Sequence, residues 1–174
     1  KCMDGQDKLA GRTVLMVDVS GSMDERISAK SDLRRLDAAC GLAILLREVC
    51  QEVIVVTFSN QLVQVAPRRG FSLRDAIVGS MHHLSTHLGR AITTLEDSQG
   101  AADRLIVITD EQAHDGLIDC WAARGYLINV AAYKPALNTQ GGWQRINGWS
   151  ERLVDWIRFE EFGTASVGGG VAQE

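Results

Sequence analysis

The sequence predicts a Rossmann-like, doubly wound α/β domain, with a mostly parallel sheet, one antiparallel edge strand and helices on both faces. Three observations predict it. Apolar, β-branched runs alternate along the chain with amphipathic helical runs, the pattern of βαβ units. Several of the strand-like runs are apolar throughout, as strands covered on both faces are. The chain's 174 residues, 45% of them hydrophobic, are enough for one full core.

The elements follow in order. Thr13–Val17 is an apolar run that stops at Asp18 and the turn residues Ser20-Gly21-Ser22, so it reads as a buried first strand. Leu33–Gln51 carries apolar residues on most faces (Leu36, Ala39, Cys40, Ala43, Ile44, Leu46, Val49) and predicts a deeply buried helix. Val53–Phe58 is a second strand. Leu62–Val65 follows it through Ser59-Asn60-Gln61, a spacing that makes the pair an antiparallel hairpin at one edge. Leu73–Met81 and Leu88–Asp97 read as helices, Arg104–Thr109 as a strand ending at Asp110, Leu117–Arg124 as a helix and Tyr126–Ala131 as a strand. Lys134–Gly148, rich in Gly, Asn and Gln, reads as a long loop. Ser150–Glu160 is the last helix. Ser72 and Ser150 stand where their hydroxyls can cap the helices that follow. Trp143, Trp149 and Trp156 are expected to pin the loop and last helix to the body, not to form a stacking platform for bases. One domain is therefore expected over residues 1–162. Residues 163–174, without apolar period, form a flexible tail.

Composition narrows the function. A net charge of −4 excludes a strongly basic face and argues against electrostatic nucleic-acid binding by this domain. Arg34-Arg35 and Arg68-Arg69 read as solvated charges of loops and helix ends. There is no run of 18 apolar residues and no signal-type start, so no membrane association is expected. Cys40 and Cys50 lie too far apart on one helix to bridge, and no CxxC spacing occurs. Together with Cys2 and Cys120 they suit reduced thiols in a cytoplasmic protein. The chain begins at Lys1, which reads as a piece of a longer protein, its C-terminal domain; a monomer is expected.

The chemistry concentrates where strands end. In such sheets ligands bind beyond the carboxyl ends of the strands. Asp18, Ser20 and Ser22 occupy alternate positions past the first strand, where one carboxylate and two hydroxyls can converge. These are hard oxygen donors, suited to Mg²⁺ or Mn²⁺. Asp110 ends a second strand, and Thr86 enters the helix of Leu88-Gly-Arg-Ala91 from the loop between.

These three segments, in this order, resemble the von Willebrand factor A family and its metal-ion-dependent adhesion site. The resemblance covers about residues 11 to 132. It implies that Asp18, Ser20, Ser22 and Thr86 are metal ligands and that Asp110 holds a coordinated water. It departs at one place: the family has two glycines before the threonine, where this chain has Leu84 and Ser85. Thr86 therefore rests least on the pattern. Thr57-Phe-Ser-Asn60, Thr109-Asp-Glu-Gln112 and Gly142-Trp143…Asn147-Gly-Trp-Ser150-Glu are similar to the A domain of Ro/TROVE proteins. Members of that family carry the domain on a ring of helical repeats that binds noncoding RNA. The resemblance thus implies RNA binding through a ring domain absent from this chain.

An ion with one direct carboxylate keeps its electrophilic character and takes an anion, such as the Asp or Glu of a protein partner, in its open position. That is binding without bond-making, so no catalytic residues are expected. An alternative is an A domain that assembles with another protein machine, such as an ATPase, without RNA. A metal-dependent phosphatase is disfavoured, because dehalogenase-type enzymes need a second Asp where Ser20 stands, and no P-loop, GxGxxG or GxSxG is present. Glu111, His87 and His114 are candidates for the rim of the site, Glu111 facing solvent or tuning its charge. His82, His83 and His87 lack an acidic third ligand at zinc spacing.

Overall fold

The computed structural model describes residues 8–81, 85–131, 137, 140–148, 150 and 152–163. Expectations for Cys2, His82, His83, Leu84, Trp149 and the tail from 164 lie outside these residues. Six strands form one sheet: β1 (Leu9–Asp18), β2 (Cys50–Phe58), β3 (Leu62–Gln64), β4 (Arg104–Thr109), β5 (Arg124–Asn129) and β6 (Trp143–Asn147). Their order is β3-β2-β1-β4-β5-β6. All neighbours are parallel except β2 and β3, which pair antiparallel from Phe58↔Leu62 to Val56↔Gln64. The predicted class and its antiparallel edge are both present.

Among the described residues four α-helices cover the sheet: α1 (Arg35–Val49), α2 (Gly70–Val78), α3 (Leu88–Gln99) and α4 (Arg152–Phe162). The strand period of two divides the core into two halves. Leu15, Val17, Ile106, Ile108, Tyr126 and Ile128 face α1, α2 and α4. Val14, Met16, Leu105, Val107 and Leu127 face α3 and the loop residues Ala122 and Leu137. In α1, Leu36, Ala39, Cys40, Ala43 and Leu46 share a face at helical spacing, and all are buried. The small members of that set let the helix lie close on β1.

Two elements differ from the sequence reading. The segment Leu117–Arg124 is not a helix. Its backbone is taken up by distant partners instead: Cys120 N–H donates to Gly141 O at 2.9 Å, Ala123 N–H to Ala102 O at 3.1 Å and Arg124 N–H to Asp103 O at 3.1 Å. Leu117 and Ala122 still bury apolar surface, so the amphipathic signal was real and the helical period was not. The loop expected over Lys134–Gly148 contains β6, a parallel edge strand paired with β5 from Gly125↔Trp143 to Asn129↔Asn147. Nothing in Trp-Gln-Arg-Ile-Asn marks a strand strongly; the open edge of β5 organises it.

Helix ends shift by small steps. α1 stops at Val49 because Cys50 already pairs with Leu9 in the sheet. α2 begins at Gly70, so Ser72 lies within its first turn and does not cap it. Ser150 behaves as predicted, its Oγ accepting the Arg152 N–H at 3.1 Å. The tryptophan expectation holds for both described residues: Trp143 is buried, and Trp156 packs edge-on against Tyr126 with ring centroids 6.0 Å apart.

Candidate metal centre

β1 is central, and its register sets Asp18 beside the end of β4: Val17 pairs with Ile108, so Asp18 stands next to Thr109. The Asp18 carboxylate is closed to solvent and held from two sides. Its Oδ1 accepts the Ser20 N–H at 2.8 Å, and its Oδ2 accepts the Thr109 hydroxyl at 2.7 Å. Burial pushes its carboxyl up to about 6; the Ser20 and Thr109 donors pull the other way, and the nearby Asp110 charge adds to the rise.

Past Asp18 the chain leaves the sheet into a short 3-10 turn, Gly21–Asp24, which Met23 anchors in the core. This turn brings the hydroxyls of Ser20 and Ser22 to 3.2 Å from each other. At a Mg²⁺–oxygen distance of about 2.1 Å, neighbouring octahedral ligands lie about 3 Å apart. The two hydroxyls therefore have the spacing of adjacent ligands on one hard ion. The donor set of Asp18, Ser20, Ser22 and Thr86 is all oxygen, which fits Mg²⁺ or Mn²⁺. Among the described residues no three His, Cys, Asp or Glu side chains gather where they could hold a metal ion.

The second loop reaches the same edge. Thr86 is buried, and its carbonyl accepts the His114 N–H at 3.0 Å. The Ser59 hydroxyl donates to Ser85 O at 3.2 Å, and His87 N–H donates to Ser59 O at 3.1 Å, tying this loop to the end of β2. Asp115 caps α3 from outside the helix, accepting the Gly89 and Arg90 N–H groups at 3.2 and 2.9 Å. His87 follows Thr86 in the chain, and its ring lies 6.0 Å from that of His114, centroid to centroid.

At the third loop Arg35 and Glu111 differ from expectation. Asp110 is fully buried, and its Oδ2 accepts an Arg35 Nη1–H at 2.8 Å while its Oδ1 accepts the Gln112 N–H at 3.2 Å. Arg35 is therefore no solvated helix-end charge. Only 7% of its side chain is exposed, and its Nη1 also donates to Ser22 O at 3.1 Å. Arg34, by contrast, is exposed as predicted. Glu111 does not face solvent either. With φ at 61° it turns inward, where Arg145 Nε donates to its Oε1 at 2.9 Å and Leu137 N–H to its Oε2 at 3.0 Å. Glu111 thus braces β6 against the third loop.

Sequence reasoning missed Arg35, Thr109 and Arg145. Thr109 had a signal: two adjacent parallel strands that both stop at carboxylates must align their last residues. Arg35 and Arg145 had none, because their partners lie 75 and 34 residues away.

The sequence profile of the Ro60 von Willebrand factor A domain matches residues 12–126, a span holding Asp18, Ser20, Ser22, Thr86 and Asp110. Solved structures share the fold. The Ro (RSR) protein of Deinococcus radiodurans is similar at a TM-score of 0.66 and 15% identity, over 86% of this chain and 34% of that one. The conserved hypothetical protein BatB of Bacteroides thetaiotaomicron is similar at 0.57 and 16%, over 87% of this chain and 97% of that one. An aerotolerance-related membrane protein of Bacteroides fragilis is similar at 0.54 and 16%, over 75% and 77%. This chain spans about a third of the Deinococcus protein's length. Among curated proteins none matches its sequence.

Proposed function

The chain belongs to the Ro60 von Willebrand factor A family, and from that membership we propose that it is a non-catalytic module that binds an acidic protein partner through a divalent ion. In this reading Asp18, Ser20, Ser22 and Thr86 hold Mg²⁺ or Mn²⁺, and Asp110 acts through a water. The observation that carries it is the convergence of Asp18, Ser20 and Ser22 at the carboxyl edge of the central strand, with the two hydroxyls 3.2 Å apart. A bound ion supplies an electrophilic open position for a carboxylate. The chain's own part is to orient the donors: the Ser20 N–H and Thr109 hydroxyl fix both Asp18 oxygens, and burial excludes competing water. Asp110 is already paired with the buried Arg35 guanidinium at 2.8 Å, where Asp18 accepts only uncharged donors, and this favours a role through water over direct ligation.

Contact with noncoding RNA is assigned to a separate ring domain of the parent protein. A net charge of −4 supports keeping RNA off this domain. The free Cys40, Cys50 and Cys120 suit the cytoplasm. Among the described residues no helix is long and apolar enough to cross a membrane.

Calorimetric titration with Mn²⁺ and Mg²⁺ in acetate buffer tests the reading, with Asp18→Asn in parallel. Saturable 1:1 binding is expected, and its loss in the variant. No saturable binding of either ion by the native chain would sink the proposal.

A further inference from the structure

We propose that Arg35 is a tethered cation that keeps the metal centre weak for the ion alone and makes tight binding conditional on the partner's anion. The inference rests on the metal-binding reading above and says how that site is regulated.

Position is the first support. One guanidinium nitrogen, Nη1, touches two of the three loops at once, donating to Ser22 O at 3.1 Å and to Asp110 Oδ2 at 2.8 Å. The side chain is 7% exposed and Asp110 not at all, so solvent screens the pair little. Arg35 is also the first residue of α1, and its N–H donates to Glu25 O at 3.0 Å. The backbone that carries this charge is thus fixed at the start of a packed helix, and the guanidinium is held by Ser22 O, Asp110 and Glu25 together.

Charge is the second support. Asp18 and Asp110 would by themselves offer two negative charges to a doubly charged ion. Arg35 neutralises one of them from inside, leaving Asp18 as the only uncompensated carboxylate at the ion. An entering ion then retains a net positive charge beside a guanidinium, which raises the cost of its entry. A carboxylate arriving in the open position removes that excess. Ion and anion therefore bind with positive coupling, each strengthening the other by the same factor. Glu25 sets the strength of the device: its carboxylate pairs with Arg35 Nη2, and its side chain is 61% exposed.

The test is Mn²⁺ titration of the whole chain by calorimetry, with and without acetate, on the native protein, Arg35→Gln, Arg35→Lys, Glu25→Gln and Asp24→Asn. Without acetate, Arg35→Gln is expected to bind Mn²⁺ roughly tenfold or more tightly than the native protein, since a like charge in a poorly screened site is removed. Its gain from acetate should shrink, and Arg35→Lys should retain native behaviour. If Arg35→Gln does not fold, the exposed Glu25 carries the test. Glu25→Gln leaves the guanidinium less compensated and should weaken Mn²⁺ binding more than Asp24→Asn, which removes a neighbouring exposed charge. Unchanged or weaker binding in a folded Arg35→Gln would overturn the proposal, as would equal effects of the Glu25 and Asp24 variants. Absence of Mn²⁺ binding in the native protein, with acetate as well as without, would instead overturn the metal-binding reading itself.

Discussion

Asp18 ends the central strand where water cannot reach it, and burial pushes its carboxyl up to about 6 despite two donors. A carboxyl raised in the folded state binds its proton more tightly there than in the unfolded chain. Without metal, its contribution favours folding below about pH 4 and is lost as pH rises through about 6. Two pH units correspond to at most about 3 kcal/mol. In EDTA, Asp18→Asn should therefore be more stable than the native protein at pH 8, with the difference vanishing near pH 4. Urea denaturation at the two pH values measures it. A variant less stable at pH 8 would mean that the carboxylate's hydrogen bonds outweigh its burial. At this scale the sequence was legible where function is local: Asp18, Ser20 and Ser22 lie within five residues, and alternation predicts their convergence. Arg35 was illegible because two arginines at a helix start read as solvent charges, and only the folded chain brings Asp110 to one of them.

At the scale of elements, the parallel strands were legible because continuous apolar runs leave few alternatives. The segment before β5 was not. Leu117–Arg124 has the apolar spacing of a helix, yet the sheet edge competes for the same residues. Trp143 decides that competition: its Nε1–H donates to Ile118 O at 2.7 Å, and its ring lies over Gly125. A Cβ on Gly125 would come within 2.6 Å of the Cys120 sulfur and 3.0 Å of the Trp143 ring, so only glycine lets both pack over β5. Trp143→Ala should destabilise the domain by about 3 kcal/mol. Trp143→Phe, which keeps most of the ring and loses the hydrogen bond, should cost about 1 kcal/mol. Equal losses in denaturation would assign the whole effect to the hydrogen bond. β6 escaped the sequence reading for a related reason, since its pairing comes from β5 and its bracing from the Arg145–Glu111 pair.

Across the whole molecule, the sheet has two unlike ends. At the carboxyl end lie the donor oxygens and the loops. At the amino end a closed polar lock fastens α4: Arg104 at the start of β4 pairs with Glu161, whose Oε1 also accepts the Tyr126 hydroxyl at 3.0 Å. Arg104 and Glu161 side chains are 1% and 2% exposed. Removing one charge strands the other, so Glu161→Gln should cost about 3–5 kcal/mol and be the most damaging single change in α4. Denaturation checks the magnitude, and a loss below 1 kcal/mol would show that the pair specifies geometry without adding stability. Fold class was legible at this scale because strand–helix alternation and size constrain it together. The lock was not, since a lone Glu near a helix end gives no hint of a partner 57 residues earlier.

That lock also fixes where the described chain enters and leaves. Arg104 reaches Glu161 near the end of α4 and the carbonyl of Ala10 near the start of β1, so both ends emerge from one pole of the molecule. Asp18, Ser20 and Asp110 occupy the other. The described residues thereby begin and end on the side of the sheet away from the oxygens. Residues 8–163 stand like a lamp on its base, with both of their ends at the foot and the donor oxygens at the head.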